Sequence, residues 1–236
     1  MTLDHTAPTA GGVTVLNRTL GRADIEQLIE EARGPLHFED CDFDDADLSR
    51  LNLRGATFER CAIAQASFLG AALVHTHWIK CRARQADFRS ADLVDAVFRS
   101  SDLNNTNWRR AKLGAVHFRG CKLTGANFED CATLGLEFDE TLLVGAHLRR
   151  VSFRKTTLRN LDFSDADLAG ADFRDAVFEG GSLRNAHLRD TLFEGADLRG
   201  VDLHGVRLID AGLFRGATIS YEQAAELVTE LGLRVV

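Results

Sequence analysis

Cysteine and histidine are the side chains of this sequence whose spacing could hold a metal ion or support redox chemistry. Four of the five cysteines are separated by multiples of 20 residues, namely Cys41, Cys61, Cys81 and Cys121. Three histidines recur every 40 residues, namely His37, His77 and His117. A metal or redox ladder is one interpretation, and small core residues are the other. No short-spaced cysteine pair, HExxH sequence, phosphate loop or Ser-His-Asp arrangement is present, so we expect no metal, no other cofactor and no enzymatic activity.

Aspartate is the other residue type with a possible binding role. Residues 161–236 carry 14 acidic and 7 basic side chains, whereas residues 38–160 carry 16 and 18. Nine aspartates of the acidic region form the candidate acidic surface: Asp162, Asp165, Asp167, Asp172, Asp175, Asp190, Asp197, Asp202 and Asp210. Their carboxylates could stand where a nucleic-acid-binding enzyme expects phosphates. The alternative is that aspartate simply suits an outward position next to a turn.

Residues 80–122 form a basic segment that precedes the acidic region. It carries ten basic and four acidic residues, so any imitation of DNA can involve only part of the molecule. The segment could instead bind nucleic acid directly. The net charge of −7 and the lack of exposed aromatic residues between the cations disfavour that interpretation.

A five-residue repeat explains where all these residues fall. From Phe38, every fifth residue up to Leu213 is Leu, Phe, Trp or Ile except Ala83 and Thr133, and this register contains both tryptophans and every phenylalanine but one. We call these the central positions. Two residues before each one lies a small-residue slot, from Leu36 to Ala211, that is never charged and also contains all five cysteines.

The repeat predicts an all-β fold, a right-handed quadrilateral β-helix. Three residues alternate inward, outward and inward as in a strand, and the other two turn a corner. Four sides then complete one coil, so residues 36–219 predict about nine coils and a rod about 43 Å long at the inter-strand spacing. Both prolines precede the array, as the continuous hydrogen bonding of stacked strands requires. A close-packed core of this kind is expected to leave no pocket.

Both ends of the array have sequences typical of caps. Residues 13–35 predict an N-terminal cap with a helix from Asp24 to Arg33 and a capping box formed by Asp24 and Gln27. Residues 220–236 predict a C-terminal helix and tail, with Ser220 and Gln223 at the start of the helix. The repeat slips by one residue before this helix, and residues 1–12 are predicted to be a flexible tail.

The segments ADLAGADFRD (166–175) and GANFED (125–130) resemble the pentapeptide-repeat protein family, and the resemblance covers residues 36–219. The ending VDLHGVRL (201–208) with SYEQAAELVTELGLRVV (220–236) is similar to the Qnr and MfpA type of fluoroquinolone-resistance proteins. That resemblance implies binding to DNA gyrase or topoisomerase IV and an end-to-end homodimer formed through the C-terminus. Qnr arrays contain loops that this array lacks, so protection of gyrase is implied less strongly than binding.

These inferences predict a DNA-mimicking protein that binds a type II topoisomerase and inhibits it or protects it from quinolones. The alternative is a structural scaffold or interaction module with an unrelated partner. The apolar residues expected at the dimer interface are Leu192, Ile209, Phe214, Ala224, Leu227, Val228 and Leu231. A second expected apolar cluster, for a partner contact or local repacking, consists of Leu134, Leu142 and Val144.

The expected location is the cytoplasm. The N-terminus has no basic segment followed by an apolar one, and no apolar run is long enough to cross a membrane. Neither secretion nor a membrane partner is therefore expected.

Overall fold

The computed structural model describes residues 12–206, 212–230 and 232–235, and it is a parallel β-helix with a helix near each end. Nine strands form one sheet in chain order, and every adjacent pair is parallel. The strands are β1 Val13–Leu16, β2 Leu36–Glu39, β3 Thr57–Glu59, β4 His77–Ile79, β5 Val97–Arg99, β6 His117–Arg119, β7 Glu137–Asp139, β8 Thr157–Arg159 and β9 Val177–Glu179. The helices are α1 Arg22–Glu31 and α2 Tyr221–Glu230.

Each coil has four sides, as the repeat predicted. Successive strands from β2 onward pair at one fixed offset, as in Phe38 with Phe58 and Phe58 with Trp78. We call this sheet the first face. Single bridges with the same offset make three more faces: the second runs from Asp42 to Asp202, the third from Asp47 to His187, and the fourth from Asn52 to Leu192. The fold class predicted from the sequence is confirmed.

Stacked aromatic rings fill the interior, and their position changes along the rod. On the first face the stack runs from Phe38 to Phe138, with ring centroids 4.1 to 5.4 Å apart. On the third face it runs from Phe68 to Phe128. Farther along, the stack lies on the fourth face, beginning with Phe153 on Phe173 at 4.8 Å. The change falls in the coil in which Thr133 replaces a large central residue.

Aspartate and asparagine in the outward positions have a structural role. Their side chains accept a hydrogen bond from the backbone N–H two residues ahead, as Asp162 does from Ser164 at 2.9 Å and Asp172 from Arg174 at 3.0 Å. This bond holds the turn at the corner of the coil. These hydrogen bonds support the alternative to DNA mimicry given above, in which aspartate suits an outward position beside a turn.

The N-terminal cap contains the predicted helix with different boundaries. Helix α1 begins at Arg22, two residues before the predicted start, and the capping contact joins the Gly21 backbone N–H to Asp24 Oδ2 at 2.9 Å. Glycine can serve as the residue before a helix, and because it has no side chain the sequence gives no capping signal at Gly21. Strand β1 pairs with β2 and precedes the array on the first face.

The C-terminal end shows the predicted slip and is closed by α2. Asp197 pairs with Thr218, an offset one residue longer than in the regular coils, and Phe214 stacks on Phe193 at 4.9 Å. Ser220 and Gln223 form the reciprocal capping bonds at the start of α2. The Gln223 side-chain amide also donates to the backbone oxygens of Leu198 and Val201 at 2.8 and 2.7 Å, so it satisfies two carbonyls at the end of the rod.

Candidate functional site

The candidate acidic surface winds around the rod and does not form one stripe. Asp162 and Asp202 lie on the second face, Asp167 on the third and Asp172 on the fourth, while Asp197 continues the first. The remaining described members, Asp165, Asp175 and Asp190, have positive φ values of 56° to 60° and occupy corners of the coil. Asp210 lies outside the described residues.

Most of these carboxylates already have a cationic partner within the chain. Asp167 contacts Arg149 at 2.5 Å and His187 at 3.3 Å. The other pairs, with distances from 2.6 to 3.8 Å, are Asp172 with Arg174, Asp175 with Arg154, Asp190 with Arg189, Asp197 with Arg199, and Asp202 with His204. The excess of acidic over basic residues in the C-terminal third remains, but these pairs fix where the charge lies.

The pairs also keep several carboxylates ionised. The hydrogen bond from Arg174 lowers the pKa of Asp172, and the hydrogen bond from Arg199 lowers that of Asp197. Burial acts to raise the pKa of Asp167, but hydrogen bonds from Arg149, the Ala169 amide and His187 outweigh it and lower the pKa. These groups therefore stay charged at neutral pH and do not act as proton donors.

Asp162 and Asp165 are the members of the acidic surface that form no ion pair with any described residue. Asp162 is half-buried on the second face, and Asp165 is exposed at the corner that follows it. They lie three residues apart on one side of the rod. Of the eight described aspartates in the set, these two have no ion-pair partner among the described residues, and the charge of Asp202 is offset only when His204 is protonated.

Cations of the basic segment are partly neutralised in the same way. Arg89 pairs with Asp87, Arg109 with Asp130, Lys112 with Asp92, and Arg119 with Asp139. The cations that form no ion pair within the described part of the chain are Lys80, Arg82, Arg84, Arg99, Arg110 and Lys122. These unpaired cations are spread over several sides of the rod, which does not favour one continuous nucleic-acid groove.

The described members of the predicted dimer interface are half-buried or exposed. Phe214 stacks on Phe193 at the end of the rod, and both Phe214 and Leu227 are half-buried against the core. Ala224 and Val228 are half-buried, and Leu192 is 43% exposed on the fourth face. Ile209 and Leu231 lie outside the described residues.

Sequence reasoning missed three apolar side chains that are exposed at the C-terminal end. They are Tyr221 at 86%, Leu233 at 59% and Val235 at 47%. Tyr221 is the first residue of α2, and the other two follow the helix. Their positions outside the repeat gave no periodic signal from which to predict exposure.

The expected apolar cluster at Leu134 does not exist as one patch. Leu134 follows the fourth face and is 90% exposed, whereas Leu142 lies on the second face, between Lys122 and Asp162. Val144 lies at the corner that follows Leu142. The first face lies between the fourth face and the second, so residues eight to ten apart in this part of the sequence lie on opposite sides of the rod.

The cysteines lie in the small-residue slot and behave as core residues. All five are free thiols, and only Cys131 is not fully buried. Burial raises the pKa of Cys121 to about 11 and that of Cys131 to about 12, so little reactive thiolate forms at neutral pH. Across the described ranges, no group of three or more His, Cys, Asp or Glu side chains is placed to hold a metal ion.

Family models for pentapeptide repeats match most of the array. The pentapeptide repeat region model matches residues 36–108 and 75–148, and models for eight and nine copies of the repeat match residues 171–210 and 143–187. Together with the four-sided coil, these matches show that the chain belongs to the pentapeptide-repeat proteins. No curated protein sequence matches this chain.

Solved structures of QnrB1, a plasmid-mediated fluoroquinolone resistance protein, are similar to this fold. One trypsin-treated form is 24% identical with a TM-score of 0.74, and the match covers 84% of this chain and 99% of that one. A second is 22% identical with a TM-score of 0.72, and the match covers 96% and 100%. At this identity the likeness concerns the fold. Neither described helix is long and apolar enough to span a membrane.

Proposed function

We propose that this protein binds a type II topoisomerase, DNA gyrase or topoisomerase IV, and inhibits it or protects it from quinolone-type poisons. The observation that carries the proposal is a four-sided rod with an excess of acidic groups in one third of its length. The likeness to a fluoroquinolone resistance protein supports the choice of partner. The role is that of a non-enzymatic binding protein in the cytoplasm.

The proposed binding is electrostatic and depends on the acidic third. A surface that carries DNA-like negative charge attracts the basic DNA-binding groove of an enzyme over a distance of about a Debye length. The paired aspartates contribute to this field, and Asp162 and Asp165 contribute charges that no described partner within the chain offsets. They are therefore the residues whose reversal should weaken binding most per substitution.

Reversal of both charges tests this mechanism directly. The double variant Asp162→Lys, Asp165→Lys should require about tenfold more protein to inhibit gyrase supercoiling, because it changes the local charge by four and opposes the attraction. The measurement is plasmid supercoiling with purified gyrase, with and without ciprofloxacin, at low and at physiological salt. Thermal unfolding of both proteins establishes that the variant remains folded.

A matched control is available at the other end of the rod. Asp45 occupies the same corner slot as Asp165, with φ of 59° against 56°, and is also exposed. Asp45→Lys should leave inhibition within about twofold of the unmodified protein, because it lies far from the acidic third. Equal weakening by both variants contradicts localised mimicry. The absence of inhibition and of protection at micromolar concentrations favours the scaffold alternative.

We further propose that two copies of the chain form a homodimer through their C-terminal ends. The interface would contain Leu192 and helix α2. Tyr221, Leu233 and Val235 supply exposed apolar area there. Leu233→Glu should convert the dimer to a monomer, because it places a charge in an apolar interface without removing a core contact. Light scattering coupled to size exclusion gives the mass. Phe214 is a poor test position because its ring stacks on Phe193, so a substitution there also removes a packing contact of the rod.

Leu16→Glu is the control for the dimer experiment. Leu16 is 51% exposed at the N-terminal end, so this substitution should leave the mass unchanged. A dimer that persists in Leu233→Glu removes the C-terminal tail from the interface.

A further inference from the structure

The hydrogen-bonded ladder opens at one place in the middle of the rod. Among the described residues of the second and third faces, every bridge between successive coils is present, including Leu142 with Asp162 and His147 with Asp167. On the fourth face, Lys112 pairs with Ala132 and Ser152 pairs with Asp172, but no bridge joins Ala132 to Ser152. Strands β7 and β8 pair only at Asp139 and Arg159, whereas the strands before β7 pair at three positions or more.

The opening leaves backbone groups without their usual partners. The donors Thr133, Gly135 and Thr157 have no backbone acceptor in the neighbouring coil, unlike the equivalent residues one coil earlier, which bond at 2.8 to 2.9 Å. In a regular coil these donors would bond to the carbonyls of Ser152, Arg154 and Leu136, respectively. Gly135 and Thr157 are exposed, so their N–H groups remain accessible to another chain.

The change in core packing explains why the coils separate here. Phe138 is the last ring of the first-face stack and Phe153 is the first of the fourth-face stack, and the two meet tilted at 45° with centroids 6.1 Å apart. Thr133, which occupies the fourth-face position below Phe153, is too small to support that ring. The coil therefore cannot close on this edge.

A cavity of about 620 Å³ results, which contradicts the expectation that the array has no pocket. Its floor is apolar and consists of Leu136, Phe138, Phe153 and Leu158. Its rim carries four cations, Arg99, Arg119, Lys155 and Arg159, and two carboxylates, Glu137 and Asp139. Arg119 and Arg159 are paired with Asp139 and Glu179. Arg99 and Lys155 have no ion pair among the described residues.

An acceptor inside the cavity points to a ligand that donates hydrogen bonds. Asp139 lines the opening, and its Oδ1 is buried without a hydrogen-bond partner among the described residues. A buried carboxylate oxygen of this kind normally accepts a bond. An N–H of an entering backbone supplies one.

We propose that this opening binds an extended peptide segment of a partner protein in which apolar and acidic residues alternate. In a strand, alternate side chains point to opposite sides, so apolar residues would contact the floor and acidic residues would reach Arg99 and Lys155. The peptide backbone would pair with the N–H of Thr157 and the carbonyl of Leu136, the unpaired backbone groups that line the cavity. This inference does not depend on the topoisomerase proposal, because it concerns a different part of the rod.

The test uses a defined peptide and the full chain. The probe is a fluorescein-labelled hexapeptide of alternating glutamate and leucine, acetylated and amidated, and binding is followed by fluorescence polarisation. We expect saturable binding that Lys155→Glu weakens at least tenfold, because the exposed cation becomes an anion. Lys122→Glu, on the unbroken second face, should change the affinity less than twofold.

Two further experiments test the backbone contribution. Amide hydrogen exchange should show protection of Thr157 when the peptide is added. Thr133→Leu restores the regular central residue, and we expect it to close the opening, raise the melting temperature and abolish peptide binding. Equal binding of a lysine–leucine peptide, or of a peptide with an N-methylated backbone, overturns the proposal, as does the absence of saturable binding up to millimolar concentration.

Discussion

Trp108→Ala should lower the free energy of unfolding by about 3–5 kcal/mol, in the range found for large aromatic residues removed from cores. Trp108 is fully buried. Its ring stacks on Phe88 at 4.3 Å and meets Phe98 and Phe118 edge-on at 5.4 Å. The ladders of hydrogen bonds fix the coils on both sides, so the surrounding rings cannot collapse into the space. Urea unfolding followed by the fluorescence of Trp78 measures the loss.

Trp108→Phe is the matched variant. It keeps a stacked ring and removes the indole N–H, which donates to Thr106 Oγ1 at 2.8 Å. The expected cost is below about 1.5 kcal/mol, since hydrophobic exchanges of similar shape are tolerated. Both measurements are made at one protein concentration, because dimerisation would add to the stability. A loss below about 1 kcal/mol for Trp108→Ala, well under the usual cost of an aromatic truncation, shows that the ring stack does not hold the coils together.

The regular part of this fold could be predicted from the sequence because large apolar residues occupy one register of the five-residue repeat. Phenylalanine and leucine at every fifth position are compatible with neither a helical period nor a strand period, and only a four-sided coil buries them all. The slip at the C-terminal end was predictable for the same reason. Phe214 is the large residue one position out of register, and its ring is the one that stacks on Phe193.

The break in the ladder could not be predicted in the same way. Thr133 marked a defect in the sequence, but a small central residue alone does not open a coil, since Ala83 is completely buried where both neighbouring bridges are intact. The difference is that the aromatic stack changes face between Phe138 and Phe153. That change depends on the packing of rings in three dimensions.

The acidic surface shows a similar limit. The repeat assigns each aspartate to a face, and this determines that the set surrounds the rod. Ion pairs depend on rotamers that the repeat does not specify. Asp167 pairs with Arg149 of the neighbouring coil, whereas Asp197 pairs with Arg199 in its own coil. The unpaired carboxylates of Asp162 and Asp165 therefore emerge only from the structure.

Gly181→Ala should cost about 3–5 kcal/mol, an exceptional effect for the addition of one methyl group. Gly181 is the only glycine in the small-residue slot. Its φ of +95° lies in a region that residues with a side chain rarely adopt, and an added Cβ would lie 2.1 Å from the Leu161 backbone oxygen. Because that atom belongs to the neighbouring coil, the coils must separate to admit the methyl group.

Gly145→Ala distinguishes the backbone clash from the backbone conformation. Gly145 also has a positive φ, of +63°, but an added Cβ there would meet no atom within 4 Å. The expected cost is about 1–2 kcal/mol, the usual penalty for a left-handed residue with a side chain. Urea unfolding of both variants gives the comparison. If the two substitutions cost the same, the close approach of the coils at Gly181 does not constrain the fold; a larger cost at Gly181 shows that the spacing of the coils is set by backbone contact as well as by the rings.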